Sequence, residues 1–300
     1  MSKLPLIIAP MFLISTPEMV IEAGRAGVIG SFPLLNARPI ESCAHWLNTV
    51  KKALPNKLWA VNFICHKKSN IRYADDLELI KTYQPPIVIT SLGHPGEVIK
   101  VVHLYGGLVY SDVATVEHAR KAAQTEVDGL ILVCAGAGGH GGTLNPFGFL
   151  HAVKQFYKGT IILSGSLSTG QDIASVKMMG ADYAYMGTRF IAAKESTAPD
   201  NYKQMVIDAS PQDIVYTNSF SGVYANILIP SLLQQGIDPT TLHQRNDVDL
   251  SHLVNVKAWR DIWSAGHGVA AVKKRETTRE IIEQLKQEYK EGVENFVRND

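Results

Sequence analysis

Cysteine is scarce in this sequence of 300 residues. The three present, Cys43, Cys65 and Cys134, stand far apart with no CxxC or CxxH spacing. That excludes a disulfide framework and predicts reduced thiols in packed positions. The ten histidines are scattered as well, so no clustered metal site is expected. An excess of charge of either sign is missing too. With 29 basic and 28 acidic side chains and a net charge of +1, nothing would hold nucleic acid or a membrane surface by bulk electrostatics. No apolar run is long enough to span a bilayer, and "MSKLPLIIAP" at the amino terminus is too short in its apolar part for a secretory signal. A cytoplasmic protein acting on a small molecule is the expectation. Internal repeats and low-complexity segments are absent. So is a GxGxxG opening a helix after the first strand, which argues against a Rossmann dinucleotide site.

What the sequence does have is alternation. Short apolar, β-branched runs follow one another with helix-like segments between them: "LIIA" at Leu6, "VIGS" at Val28, "WAVNF" at Trp59, "IVITS" at Ile87, "LVYSDV" at Leu108, "LILVCA" at Leu130, "TIILSG" at Thr160 and "DYAYMG" at Asp182. The intervening "TPEMVIEAGRAG" places Thr16 as a helix cap, Pro17 in the first turn and Gly27 beyond the end. Eight βα units are the number that closes a TIM (β/α)8 barrel; an open doubly wound sheet is the competing α/β architecture. Polar residues at the carboxyl ends of the runs favour the barrel. Asn62, Ser91, Asp112, His140, Ser166 and Thr188 would converge on one rim of a barrel, whereas an open sheet would spread them along an edge.

From about Ala192 the pattern changes to what reads as helices and a loop, a smaller and mainly helical cap over the barrel mouth. The expected division is a barrel over residues 1–191, a cap over 192–253 and closing helices over 254–300. The last of these, "REIIEQLKQEYKEGVENFVRND", reads as an amphipathic helix.

The stretch "CAGAGGHGGT" puts five glycines in the seven positions Gly136–Gly142, around His140. Glycine lets a ligand lie against the main chain, so such a cluster after a strand points to something flat or anionic; a mobile loop is the plain alternative. His140 is the only imidazole at a strand end inside such a loop, while His45, His103, His118 and His151 fall in helix-like segments. An imidazole can take a proton at neutral pH, which suits abstraction beside a carbonyl or nitro group. A second glycine system follows runs seven and eight, where barrel phosphate sites form. There Gly165 and Gly187 would bring backbone to phosphate oxygens, and Ser166 and Thr188 would add hydroxyls. At the first run's end Pro10 stiffens the exit and Met11 offers either a platform for a ring or core filling. A ring at one end and a phosphate at the other outline FMN.

At these residues the sequence resembles the nitronate monooxygenase family, formerly the 2-nitropropane dioxygenases. The resemblance rests on "APMFLISTPEMVIEAGRAGVIGSFPLLNAR", "AVNF", "CAGAGGHGGT" and "GADYAYMGTRFIAAKES", and extends through "DIVYTNSFSGVYAN" and "WSAGHGVAAV". It implies an FMN-containing barrel that oxidises alkyl nitronates, and nitroalkanes, with dioxygen to carbonyl compounds and nitrite. His140 matches the family's catalytic histidine. FMN contacts carry over onto Ala9, Pro10, Met11, Asn62, Gly138, Gly139, Ser164, Gly165, Ser166, Gly187 and Thr188. Asp112 stands where some members carry a lysine near the flavin, and "AGH" replaces "AGQ", which turns attention to His267. The same barrel and loop occur in FMN-dependent NAD(P)H:quinone reductases and enoyl reductases, which form the alternative; a flavin carrier or a protein without cofactor is a further one. Monomer and homodimer stay open.

Overall fold

The computed structural model describes residues 4–247 and 261–298. The expected end of the cap at 253 and the start of the closing region at 254 lie outside them. Each of the eight apolar runs supplies a strand: β1 (Leu6–Ile8), β2 (Ser31–Pro33), β3 (Ala60–Ile64), β4 (Ile87–Ser91), β5 (Leu108–Val113), β6 (Gly129–Val133), β8 (Thr160–Ser164) and β9 (Tyr183–Met186). These pair in parallel in the order β1-β9-β8-β6-β5-β4-β3-β2. Both sides of β1 are occupied: Ile7 pairs with Tyr185 of β9, and the run leading into β2 meets it through an Ile7–Ile29 bridge. Ile8 N–H donates to Ile29 O at 2.8 Å and Ile29 N–H to Leu6 O at 3.1 Å. The sheet therefore closes, and the fold is a TIM barrel with no open doubly wound edge.

Seven helices form the outer ring after their strands: α1 (Pro17–Arg25), α2 (Ile40–Ala53), α3 (Tyr73–Tyr83), α4 (Gly96–His103), α5 (Val116–Ala123), α6 (Pro146–Lys154) and α7 (Gly170–Met178). The first starts where its sequence says it should. Thr16 accepts from Met19 N–H at 3.2 Å, Pro17 occupies the first turn, and Gly27 leaves the helix at φ +86°. An equivalent position beside α7 and α1 is taken by the C-terminal helix (Thr278–Arg298).

Strand residues alternate between two cores, as a period of two requires. Ile7, Ala60, Ile87, Ile89, Ile131, Ile162 and Tyr185 fill the barrel interior. Their neighbours Leu6, Ile8, Val61, Val88, Leu130, Leu132 and Leu163 pack outward against the helices. The three cysteines are free and buried, and burial pushes each thiol up to about 12, so they are packing groups.

Between β9 and the C-terminal helix the chain builds over the mouth. The expected helices are there as α8 (Asp200–Asp208) and α9 (Ile229–Gln234). Between them runs an antiparallel hairpin, β10 (Ile214–Thr217) and β11 (Ala225–Leu228), which periodicity did not indicate. This hairpin pairs with β7 (Gly139–His140) to make a second, three-stranded sheet. A separate apolar cluster fastens the cap, with Tyr202 stacked on Trp263 at 4.8 Å and Ile14, Ile191 and Leu228 around them. No helix among the described residues is long and apolar enough to cross a membrane.

Candidate functional site

The barrel interior predicts where its polar layer must lie. Moving two residues along each strand from the last apolar inward residue reaches the next inward position, about 6.6 Å nearer the mouth. On β3, β4, β5 and β8 those positions are Asn62, Ser91, Asp112 and Ser164; beyond β1 and β9 they are Ala9 and Gly187. All six line one cavity of about 850 Å³ at the carboxyl ends of the strands. Pro10, Met11, Gly138, Gly139, His140 and Thr188 line it as well. Gly165 and Ser166 do not.

The glycine loop around His140 is held at many points. Gly139, at φ +70°, donates its N–H to Ser264 Oγ at 2.7 Å, and Gly141 N–H donates to Tyr224 O at 3.3 Å. Asn226 Nδ2 donates to Ala137 O at 2.6 Å, and Tyr216 OH to Gly141 O at 2.8 Å. His140 itself pairs with Ala225 through the backbone. The mobile-loop alternative is thereby replaced: the hairpin clamps this segment as a strand, with the imidazole in the cavity wall.

Glycine is needed where the neighbouring loops meet. A Cβ on Gly138 would come within 2.9 Å of Gly266 N, and one on Gly165, at φ +116°, within 2.8 Å of Ala135 O. Gly165 and Ser166 thus sit beside the cavity, against the turn that precedes His140. Ser166, at φ +57°, donates its N–H to Gly136 O at 3.3 Å. His267 also donates its N–H to Gly136 O, at 2.9 Å, and its exposed ring stands by Gly136. Thr188 Oγ1 accepts from Gly266 N–H at 2.8 Å. Its own hydroxyl hydrogen is left to point elsewhere.

Opposite lies a chain of fixed polarity. Asn62 Nδ2 gives its two hydrogens to Ile89 O at 3.1 Å and Ser91 Oγ at 2.7 Å, and Ser91 donates to Asp112 Oδ2 at 2.5 Å. The backbone carbonyl fixes the amide's orientation. Asp112 Oδ1 is buried and makes no hydrogen bond within the protein. Desolvation therefore outweighs the Ser91 bond and pushes the Asp112 carboxyl up to about 6. Tyr185, in the same wall, is raised well above its ordinary value by burial first and by Asp112 second.

Sequence reasoning placed Ser91 at the rim without giving it a role in the site; strand parity with Ile87 and Ile89 is the signal that assigns it. It missed Tyr185, which shares that parity on β9. It also missed Phe12, Leu35, Ile64, Leu92 and Val223, apolar residues lining the cavity from five separate segments. Nothing local marks these as anything but core. Among the described residues no group of His, Cys, Asp and Glu is arranged to hold a metal ion.

Known proteins resemble this chain over nearly its whole length. It is 24% identical to a nitronate monooxygenase of Paraburkholderia phytofirmans, covering 97% of this chain and 94% of the relative. FabK from Thermotoga maritima superposes with a TM-score of 0.82 at 23% identity, covering 99% of this chain and 96% of that one. A nitroalkane oxidase from Streptomyces ansochromogenes does so with a TM-score of 0.81 at 22% identity, over 98% and 97% of the two chains. Both solved structures speak to the fold. The narrower statement comes from the family model for nitronate monooxygenase, which matches residues 21–288 and so takes in the glycine loop, the hairpin that clamps it and the first half of the C-terminal helix. By that match the chain belongs to the nitronate monooxygenase family of oxidoreductases.

Proposed function

We propose that this protein binds FMN at the barrel mouth and oxidises alkyl nitronates, and nitroalkanes after deprotonation, with dioxygen to carbonyl compounds and nitrite. One observation carries the reading: His140 is fixed by strand pairing in the wall of a cavity that also presents a polar layer, glycine backbone and apolar side chains.

The residues present fit the group. A volume of about 850 Å³ is in the range of cofactor and small-molecule sites. Gly139 has nothing within 4 Å of where a Cβ would stand, so its backbone is open to a ligand. Thr188 keeps a hydroxyl hydrogen for a phosphate oxygen, and Ser164 lines the same cavity. Gly187 adds no side chain to the strip beside Ala9 and Met11, where a flat ring would lie. Gly138, Gly165 and Ser166 would complete the phosphate end, with Pro10, Asn62 and Asp112 at the ring. FMN, when bound, supplies the electron transfer from nitronate and on to dioxygen. His140 does the proton work: its imidazole takes the proton from the carbon beside a nitro group, and with a preformed nitronate it offers a hydrogen bond to the anion.

His140→Asn tests this division of labour. Turnover of neutral nitroalkanes should fall by about 10²–10⁴-fold, the usual weight of a general base, with a much smaller loss on preformed nitronates. An equal loss on both removes His140 as the base. Rapid bleaching of the bound flavin by NADH or NADPH under anaerobic conditions, with no nitronate turnover, would instead assign a reductase.

A further inference from the structure

The hydrogen bonds of the polar layer run in one direction and end on Asp112. Asn62 gives both amide hydrogens away, to Ile89 O and to Ser91 Oγ. Ser91 passes its single hydrogen to Asp112 Oδ2. An amide has two hydrogens and a hydroxyl one, so this row holds no donor for the second carboxyl oxygen. Asp112 Oδ1 is left buried and without a hydrogen bond.

The surroundings supply no substitute. On the β6 side Asp112 stands in register with Ile131, and Val133 follows in the cavity wall. Tyr110, one inward position deeper on β5, has its hydroxyl pushed up to about 12 by burial first. Tyr185 of β9 is raised as well, so neither phenol brings charge at neutral pH. His140 lines the same cavity from β7. His94, His118 and Lys121 line it too, but they are exposed, and Lys121 is already paired with Glu117 at 2.6 Å. The remaining charges of α4 and α5, Glu97, Lys100, His103 and Arg120, belong to helices on the outer side of β5, with the strand between them and Asp112. Desolvation and the Ser91 bond are what act on this carboxyl, and no cation does.

Water is the one remaining source of support for a charge here. Asp112 is only half-buried as a residue and keeps part of its surface on the cavity. A flat ring laid over the polar layer takes that water away. A carboxylate held by a single hydroxyl in a dry wall is costly, whereas the protonated acid is not.

From this arrangement we infer that Asp112 meets the flavin ring as a neutral acid, so that each FMN bound to protein carrying the carboxylate draws one proton from solvent onto Asp112. This rests on the proposed FMN site. It also keeps a fixed negative charge away from a ring that accepts electrons. Where the free protein already holds the proton, below about pH 6, binding needs no protonation; above that, affinity falls as the pH rises.

Asp112→Asn is the test, because its amide keeps an acceptor for Ser91 and imitates the neutral acid. FMN is titrated calorimetrically into the apoprotein of parent and variant from about pH 5.5 to pH 8, in buffers of different ionisation enthalpy. The phosphate of FMN titrates in this range but contributes equally to both proteins, so the difference reads Asp112 alone. At about pH 7.5 the parent should take up close to one proton more than the variant. Its affinity, similar to the variant's at about pH 5.5, should fall behind by up to about tenfold for each pH unit above 6. Riboflavin, which has no phosphate, repeats the proton count on the parent alone, so the result does not hang on the variant. Equal proton counts with parallel affinity curves, or a parent that gains on the variant as the pH rises, overturn the neutral acid and leave the FMN site standing. Neither FMN nor riboflavin binding at any pH removes the FMN site itself, and the inference with it.

Discussion

Asp112 is a carboxyl placed where its charge matters most. Ser91 satisfies Oδ2, Oδ1 is buried without a hydrogen bond, and the group is pushed up to about 6 from 3.8. An acid whose pKa is higher folded than unfolded holds its proton more tightly in the native state. The stability tied to that proton is complete below about pH 3.8 and disappears as the pH rises through about 6. A rise of roughly two units corresponds to about 3 kcal/mol. Asp112→Asn removes the titration while keeping the shape and the acceptor for Ser91. Its stability relative to the parent protein should therefore climb by up to about 3 kcal/mol between pH 4 and pH 7.5, whatever the constant offset of the substitution. Urea unfolding across that range checks it, and parallel curves for the two proteins would show that Asp112 titrates normally. At the same scale, the identity of the polar rim was readable from the sequence. Asn62, Asp112 and His140 each interrupt an apolar pattern at a strand end, and a residue that a core would not accept announces itself. The cavity-lining Phe12, Leu35 and Ile64 do not, because an apolar residue facing a cavity and one facing the core look the same in a sequence.

Among elements, the hairpin β10–β11 turns a glycine-rich run into structure. Left alone, Gly136–Gly142 would be costly to order, since glycine loses more backbone freedom on folding than any other residue. Pairing of Gly139 and His140 with Asn226 and Ala225 offsets that cost, and Asn226 adds a side-chain bond to Ala137 O. Asn226→Ala leaves a buried carbonyl unsatisfied, at about 1–3 kcal/mol. Amide exchange over residues 137–141 should speed up, and turnover of neutral nitroalkanes should fall as His140 loses its fixed place. Unchanged protection in that segment would mean that the hairpin does not hold it. The hairpin also marks where sequence reading stopped. Each strand has only four residues, and the seven-residue connection lacks the two-residue Asn-Gly or Gly-X turn that signals a hairpin. Its third strand lies some eighty residues earlier in the chain, a pairing that no local pattern encodes. The helices on either side were legible because their periods are local.

Across the whole molecule, the chain leaves the barrel after its eighth strand, builds the cap and returns to lay its last helix between α7 and α1. Strand count and βα alternation made the barrel legible, but the tie that binds its two ends was not. Arg189, next to Thr188 at the end of β9, is buried and donates from Nη2 to Glu276 Oε2 and to Gln284 Oε1, each at 3.0 Å. In sequence it is one cation in "YMGTRF", and its partner lies 87 residues on. Through Glu276, just ahead of the closing helix, and Gln284 within it, Arg189 joins the strand end that would hold the phosphate to the helix that closes the ring. Burying two charges is costly, and their attraction in a poorly polarisable interior roughly repays it, so the pair adds little net stability over apolar residues of similar size. Breaking it is another matter. Arg189→Leu leaves Glu276 buried with only Lys274, exposed and 3.2 Å away, as a partial counter-charge. The expected loss is about 3 kcal/mol, the lower end of the range for an uncompensated buried charge. The double substitution Arg189→Leu, Glu276→Leu should recover most of it, because neither charge is then stranded. Urea midpoints for the parent, both single variants and the double variant close the cycle. If the double variant is as unstable as the sum of the singles, the two side chains act independently, and the closing helix is held by its packing and by its other polar ties, such as Thr278 to Glu195 and Glu288 to Gly170.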